Sequence, residues 1–243
     1  MIVLGVVGSP RQNGRTNRLV DAALEGAKSR GSSIKKINLA DFDVKPYTGV
    51  RESCPEELNK ICEEADAIVL GSPIYFGDVS GLIKSFMETV RISNSNGKPA
   101  LGISIAGGTG KGLLSGVQTI YQFFFHKQMR GIDPTPVSRF NLEDILEQLK
   151  VSGIKLVDLS KNTTPFPSWS EALSYYTSLK YIRCDPLDEF VMLAEQLIKI
   201  SKGNKVENAK VELDKARALI AEGNRLEAAQ YAVRSYQILY FPP

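Results

Sequence analysis

Apolar strand-like runs and amphipathic helical patterns alternate four times along the first half of the chain. Residues 2–7 are aliphatic apart from Gly5, as expected of a strand that is buried on both faces. A half-polar run at 33–39 and apolar runs at 67–71 and 99–106 follow, each after residues with helical periodicity. This alternation predicts an α/β fold, in which helices cover both faces of a parallel sheet.

The position of a fifth strand stays open on the sequence alone. Residues 131–137 form one candidate, although Pro134 and Pro136 would restrict it to an edge of the sheet. Residues 154–159 form a second candidate, and residues 141–150 between the two have a helical pattern.

The tail of the chain, residues 204–243, is predicted to be a helical hairpin. It follows an amphipathic helix at 186–201, and Gly223 with Asn224 divides its own helical pattern into two halves. A single hairpin cannot bury its own apolar stripe, so it must pack on the rest of the chain or on another chain, and we favour the latter. The stripe is expected to comprise Val206, Ala209, Leu213, Ala216, Ile220, Leu226, Ala229, Val233 and Tyr236.

Charge and hydropathy exclude several classes of protein. The 243 residues include 30 Lys and Arg against 27 Asp and Glu, a net charge of +3, so we expect no nucleic-acid partner and no membrane partner. No apolar run approaches the roughly 18 residues that span a bilayer. Residues 1–8 also lack the basic start of a signal peptide, so we expect a cytoplasmic protein.

Cysteine and histidine are scarce. Cys54, Cys62 and Cys184 are too few for a four-cysteine zinc or iron–sulfur site within one chain, and they exclude a disulfide scaffold. The single histidine, His126, argues against a histidine-based triad or metal centre. The chemistry is therefore expected to depend on a bound cofactor or on oxygen and nitrogen side chains.

Three distinctive loops follow predicted strands, and we call them the first loop (8–17), the second loop (71–78) and the third loop (106–112). Because ligands of such sheets lie outside the carboxyl ends of the strands, the three loops are expected to converge on one crevice. The third loop has no side chain large enough to block a flat ring, and its N–H groups could bond ring carbonyls. The alternative is a merely flexible glycine loop.

The first loop has the features of a phosphate cradle. It leads into a helix N-terminus, where free N–H groups and the positive end of the helix dipole attract anions. Arg11 and Arg15 add positive charge, and Gly14 lets the backbone approach a ligand closely. The loop matches neither the dinucleotide-binding glycine pattern nor the P-loop pattern. The alternative is that Ser9 and Thr16 only cap the helix.

The second loop places two aromatic side chains, Tyr75 and Phe76, beside a turn that Pro73 fixes. These two side chains could form a platform for a flat ring. The alternative is that both pack inward and close the core of the domain.

Two motifs in these loops resemble those of a known family. The first loop contains GSPRQNGRT at 8–16, which matches Gly-Ser-Pro-Arg/Lys-x-x-Gly-x-Thr, and the second contains GSPIYFG at 71–77, which matches Gly-Ser-Pro-x-Tyr-x-Gly. On these motifs the chain resembles the NADPH-dependent FMN reductase family of the flavodoxin-like superfamily, including its iron–sulfur flavoprotein branch. The resemblance covers about residues 1–130 well and 186–201 loosely, and the compact cysteine cluster of the iron–sulfur branch is absent.

The resemblance implies a flavodoxin-like fold, a doubly wound parallel five-stranded sheet, followed here by the C-terminal α-helical hairpin. The expected domains are an FMN-binding domain at 1–203, with an insertion at about 138–185, and the hairpin at 204–243. The resemblance also implies non-covalent FMN, NADPH or NADH as the reductant, and a homodimer or homotetramer. The residues expected to bind FMN are Ser9, Arg11, Asn13, Gly14, Thr16 and Asn17 around the phosphate, Ser72, Pro73, Ile74, Tyr75, Phe76 and Gly77 around the isoalloxazine ring, and Gly107, Gly108 and Thr109 at its pyrimidine edge.

The function implied by this resemblance is that of an oxidoreductase, in which hydride passes from NAD(P)H through FMN to a quinone, a flavin or another small-molecule acceptor. No side chain need act as a general acid, so neither a catalytic residue nor a metal ligand is expected. Two alternatives stay open. One is an electron-carrier flavoprotein that serves a protein partner, and the other is an interaction protein that works through its hairpin.

Overall fold

A seven-stranded sheet forms the centre of the molecule in the computed structural model, which describes residues 1–49 and 54–241. Its strands are β1 (Ile2–Val7), β2 (Ser33–Asn38), β3 (Ala67–Tyr75), β4 (Asp78–Val79), β5 (Pro99–Ala106), β6 (Arg130–Gly131) and β7 (Thr135–Ser138). The strands in the order β2-β1-β3-β5 are parallel throughout. β6 and β7 both pair in parallel with the outer edge of β5, and β4 pairs in antiparallel with the end of β3.

Helices cover both faces of this sheet. They are α1 (Arg15–Ser29), α2 (Glu56–Glu64), α3 (Gly81–Thr89), α4 (Leu113–His126), α5 (Leu142–Asn162), α6 (Trp169–Ser178), α7 (Pro186–Ile200), α8 (Lys205–Ala221) and α9 (Arg225–Tyr240). On one face, Val3 of β1 shares an apolar cluster with Leu19 of α1 and Leu156 of α5. On the other face, Leu4 clusters with Phe86 and other side chains of α2, α3 and α4. The predicted α/β fold is confirmed. Among the described residues, no helix combines the length and the apolar character that crossing a membrane requires.

β6 and β7 together form the fifth strand, so the candidate at 131–137 is confirmed. β6 lies opposite the start of β5 and β7 lies opposite its end, with an interruption at Asp133 and Pro134. The broken strand occupies the edge of the sheet. Proline is tolerated there because its missing N–H is not needed for pairing with a further strand.

The second candidate strand, at 154–159, is wrong, because these residues lie inside helix α5. Leu149 and Leu156 are buried at helical spacing, in the apolar cluster shared with α1. Gly153 lets the two helices meet closely, since a Cβ there would lie 1.9 Å from the Ala23 carbonyl oxygen. Apolar alternation over so short a segment suits a strand or a helix, and the contact with α1 selects the helix.

The C-terminal hairpin is present and packs on its own chain. α8 and α9 are joined at Gly223, whose φ of +83° suits the turn, and both helices contact α7. Leu213 of α8 and Tyr236 of α9 are buried with Leu193 and Leu197 of α7. The contact with another chain, which the sequence favoured, is therefore not needed to bury this stripe.

The buried face of α9 is shifted from the predicted stripe. Ala228 and Tyr236 are buried, whereas Leu226 is 86% exposed. The small alanine side chain allows a close approach of α8 and α9, and the Ser235 hydroxyl donates to the Ala209 carbonyl oxygen at 2.7 Å. Close packing of small residues, and not burial of the largest ones, sets the rotation of α9.

Candidate cofactor site

The first loop joins β1 to α1, and short contacts fix its backbone. The Gly8 N–H donates to the Gly71 carbonyl oxygen at 2.8 Å, which ties the first loop to the second. A Cβ at Gly8 would lie 1.9 Å from Ile83, so only glycine fits there. The Arg11 N–H donates to the Ser9 hydroxyl at 3.2 Å and holds the curl of the loop. The loop is thus shaped by the protein itself.

The N-terminus of α1 opens onto this loop without a side-chain cap among the residues that the structure describes. Gly14 is the N-cap residue, and the first intrahelical bond runs from the Arg18 N–H to the Gly14 carbonyl oxygen. The alternative in which Ser9 and Thr16 cap this helix is therefore wrong. The N–H groups of residues 15–17 remain for a ligand, and an anion suits them best.

Positive charge surrounds the N-terminus of α1. Arg11 and Arg15 are exposed on the first loop, and neither pairs with an acidic side chain of the described residues. Arg18, one turn further along the helix, is instead held by Glu143 at 2.9 Å. Two cations beside a helix N-terminus suit an anion such as a phosphate group.

The second loop turns sharply after β3 and exposes its aromatic side chains. Phe76 has a φ of +51° and Gly77 a φ of +86°, so both occupy the left-handed region at the tip of the β3–β4 hairpin. Tyr75 is 48% exposed and Phe76 is fully exposed, so the alternative in which both pack inward is wrong. Ser72 is buried, and its hydroxyl accepts from the Ser80 N–H at 3.0 Å, which supports the turn from beneath.

The third loop is a tight turn with an open outer side. The Gly110 N–H donates to the Gly107 carbonyl oxygen at 2.7 Å, and Gly108 has a φ of +41°. A Cβ at Gly107 or Gly108 would meet no atom within 4 Å. The bare backbone therefore leaves room for the edge of a flat ligand.

The three loops surround one cavity of about 600 Å³, so their predicted convergence is confirmed. The cavity is lined by Ser9, Arg11, Asn13, Gly14, Arg15, Thr16, Pro73, Ile74, Tyr75, Ile105 and Gly107. Its volume lies within the range of cofactor sites in proteins. One end offers cations and free N–H groups for a phosphate, and the other offers apolar side chains and a bare glycine wall for a ring. These two ends fit FMN.

The structure brings most of the predicted site residues together in this cavity, but not all of them. The predicted residues that do not line it are Asn17, Ser72, Phe76, Gly77, Gly108 and Thr109. Asn17 instead donates its side-chain amide to the Arg11 carbonyl oxygen at 3.1 Å. Ile105 lines the cavity but was not predicted, and its place near the carboxyl end of β5 is the signal that could have revealed it. The contacts of each residue with FMN stay predictions.

A second cleft, of about 640 Å³, lies between α2, the end of α3 and the end of α4. Arg91 in this cleft pairs with Glu56 at 2.8 Å, and the Glu63 carboxylate accepts from the Ser93 N–H at 2.7 Å. None of the residues that line this cleft belongs to the motifs of the first and second loops. We therefore place the cofactor site at the three loops.

Solved structures with the same fold include flavin proteins. An NADH:FMN oxidoreductase in its apo form superimposes with a TM-score of 0.54 at 21% identity, over 68% of this chain and 91% of the other. A flavodoxin from the domain Archaea superimposes with a TM-score of 0.52 at 21% identity, over 67% of this chain and all of the other. The predicted flavodoxin-like fold is confirmed.

Curated relatives are more similar in sequence. An iron–sulfur flavoprotein of Methanocaldococcus jannaschii is 35% identical over 156 residues, which are 56% of this chain and 79% of that protein. An FMN reductase (NADPH) of Pseudomonas putida is 22% identical over 90 residues, which are 36% of this chain and 46% of that protein.

The cysteine content of this chain differs from what the first relative's name implies. The chain has three cysteines, fewer than the four that an iron–sulfur cluster takes as ligands. Burial raises the pKa of the Cys62 thiol to about 12, so this thiol is protonated at neutral pH. The described residues hold no group of three or more acidic, cysteine or histidine side chains suited to a metal ion.

The first part of the chain also matches a family model. That model describes the NADPH-dependent FMN reductases and matches residues 1–136, which include all three loops of the cavity. These residues make up more than half of the 243 in the chain. The chain therefore belongs to the NADPH-dependent FMN reductase family.

Proposed function

We propose that this protein uses FMN in the cavity of the three loops to pass hydride from NADPH or NADH to a small-molecule acceptor, such as a quinone or a free flavin. The observation that carries the proposal is a single cavity that combines the uncapped N-terminus of α1 with the open backbone of Gly107. Membership of the FMN reductase family supports the same cofactor.

The phosphate end of the cavity is assigned to the first loop. The N–H groups of residues 15–17 would donate to phosphate oxygens, while Arg11 and Arg15 supply charge. Ser9 and Thr16 are each 3% exposed, so their hydroxyls lie at the floor of the cavity. A phosphate held by a preset backbone fixes one end of the cofactor at little conformational cost.

The ring end of the cavity is assigned to the second and third loops. Pro73, Ile74 and Tyr75 would provide apolar contact, and the open backbone of Gly107 would leave room for a ring edge. Bound FMN would supply the hydride-accepting chemistry, and the chain would position and desolvate it without a catalytic side chain.

Assembly into a homodimer or homotetramer is part of the proposal. Its support is the fully exposed Phe76 next to the half-exposed Tyr75 at the rim of the cavity. A bulky residue with a φ of +51° is strained, and such strain is typical of functional positions. A second copy on this rim would cover both aromatic side chains.

The test is anaerobic reduction of the purified flavin-loaded protein, followed by its visible spectrum. Addition of NADPH or of NADH should bleach the flavin band, and the faster donor identifies the physiological reductant. A yellow protein that neither donor reduces would contradict the proposal and support the electron-carrier alternative. Re-oxidation by added quinone or free flavin then ranks the acceptors.

A further inference from the structure

The third loop is held by α7 and by α9 of the C-terminal hairpin. The Tyr236 hydroxyl of α9 donates to the Thr109 carbonyl oxygen at 2.9 Å, across 127 positions of the chain. Tyr236 is completely buried, in a cluster that also contains Leu193 of α7. The hairpin therefore reaches the candidate cofactor site directly.

Two further contacts hold the same loop. The Lys111 ammonium lies 5.2 Å from the centre of the Phe190 ring and 5.8 Å from that of Tyr236. The Glu189 carboxylate of α7 accepts from the Gly112 N–H at 2.8 Å and from the Leu114 N–H at 3.0 Å. Because Gly112 is the N-cap residue of α4, this carboxylate of α7 caps the N-terminus of α4.

The bond from Tyr236 acts on the peptide group that closes the turn at Gly107, the residue of the third loop that lines the cavity. Thr109 and Gly110 share a peptide group, and the Gly110 N–H closes the turn by donating to Gly107. Fixing the carbonyl of that peptide group fixes the turn, and with it the open backbone of Gly107 and Gly108. Burial raises the pKa of the Tyr236 hydroxyl, which therefore stays protonated and remains a donor.

The composition of the loop makes this support necessary. Gly107, Gly108, Gly110 and Gly112 give the segment more conformational freedom than any other residues would. An unsupported loop would have to be ordered by the ligand, at the expense of affinity. The contacts with α7 and α9 order it in advance.

We infer that Tyr236 is a positioning residue of the cofactor site, which holds the third loop in the conformation that receives the ring edge of FMN and so sets the affinity and the reduction potential of the bound flavin. The part of this inference that concerns FMN rests on the proposed function. The part that concerns order in the third loop does not.

The test compares two full-length variants, Tyr236→Phe and its control Tyr231→Phe. Both lose one hydroxyl from α9, but Tyr231 is half-buried against α8 and makes no contact with the third loop. Amide hydrogen exchange of residues 107–112, measured on flavin-free protein, should be about 5-fold faster in Y236F, the effect of one hydrogen bond. Y231F should match the unaltered protein.

The flavin measurements follow on the same two variants. Y236F should bind FMN about 5-fold more weakly and shift its midpoint potential, while the loss of one hydrogen bond lowers its thermal midpoint of unfolding by about 2–4 °C. If Y236F exchanges faster but the unaltered protein does not bind FMN, the proposed function is contradicted. The inference about order in the third loop is then still supported. Exchange, affinity and potential equal to those of Y231F would overturn the inference.

A second variant keeps the inference testable if Y236F does not fold. Lys111 is exposed, so Lys111→Met removes its cation–π contacts with little risk to the core. Exchange of the third loop should then rise about 3-fold. Exchange at the unaltered rate would contradict the inference.

Discussion

Removal of Arg11 and Arg15 from the first loop should weaken FMN binding through the phosphate alone. The variant is Arg11→Ala with Arg15→Ala, and both side chains are exposed, line the cavity and lack an acidic partner among the described residues. Thr16 is a poorer target for substitution. It is buried, and its methyl group packs so closely on Gly71 that a Cβ there would lie 3.2 Å from it. The double arginine variant should therefore fold normally.

The expected loss of FMN affinity follows from the solvent exposure of the two arginine side chains. A hydrogen bond to a charged group contributes about 1.5–3 kcal/mol, but solvent and salt reduce this to about 1 kcal/mol for each exposed arginine. The double variant should lose about 2 kcal/mol, which is about 30-fold in Kd. Riboflavin has no phosphate, so its affinity should not change. The loss should also shrink as ionic strength rises.

The assay is quenching of flavin fluorescence on titration of FMN, and separately of riboflavin, into the flavin-free protein at low and at high salt. The matched control is Arg18→Ala with Lys28→Ala, which removes the same charge from the exposed surface of α1 outside the cavity. FMN affinity equal to that of the control at both salt concentrations would refute the phosphate assignment. An equal loss for riboflavin would also refute it.

Three further outcomes are expected. Gly107→Val should leave the thermal midpoint of unfolding unchanged, because a Cβ at this position meets no atom within 4 Å. It should weaken FMN binding about 10-fold, because the valine side chain fills the ring end of the cavity. Unchanged FMN affinity would contradict the placement of the ring beside Gly107. Gly153→Ala should lower the thermal midpoint by about 5 °C in a calorimetric scan, because its Cβ would meet the backbone of Ala23; an unchanged midpoint would contradict the close packing of α1 and α5. Truncation after Gly203 should cause aggregation in light scattering, because it uncovers the face of α7 that α8 and Tyr236 bury; a stable truncated protein with the same thermal midpoint would show the hairpin to be dispensable.

The sheet and the three loops could be predicted because their signals are local. Buried parallel strands are runs of aliphatic residues, and the glycines and prolines between them mark the strand ends where a ligand binds. The fifth strand was less clear, because Asp133 and Pro134 break it into two short pieces. The apolar pattern of residues 154–159, which lie within α5, suits a strand as well as a helix. Only the contact of α5 with α1 distinguishes a helix from a strand here.

The contribution of the tail to the cofactor site could not be predicted. The bond from Tyr236 to Thr109 joins residues 127 positions apart and carries no sequence signature. The rotation of α9 about its axis could not be predicted either. The pattern of large apolar residues predicts that Leu226 is buried, whereas the packing buries Ala228. Small-residue packing between helices depends on the partner surface, which the periodicity of one helix does not reveal.

The identity of the bound flavin tests the assignment of the cavity most directly. The purified full-length protein is heated, and the released flavin is separated by chromatography and quantified against the protein. A cavity with one phosphate cradle and one ring wall predicts FMN, equimolar with the chain after saturation. Recovery of mainly FAD, or of no flavin after incubation with excess FMN, would contradict it.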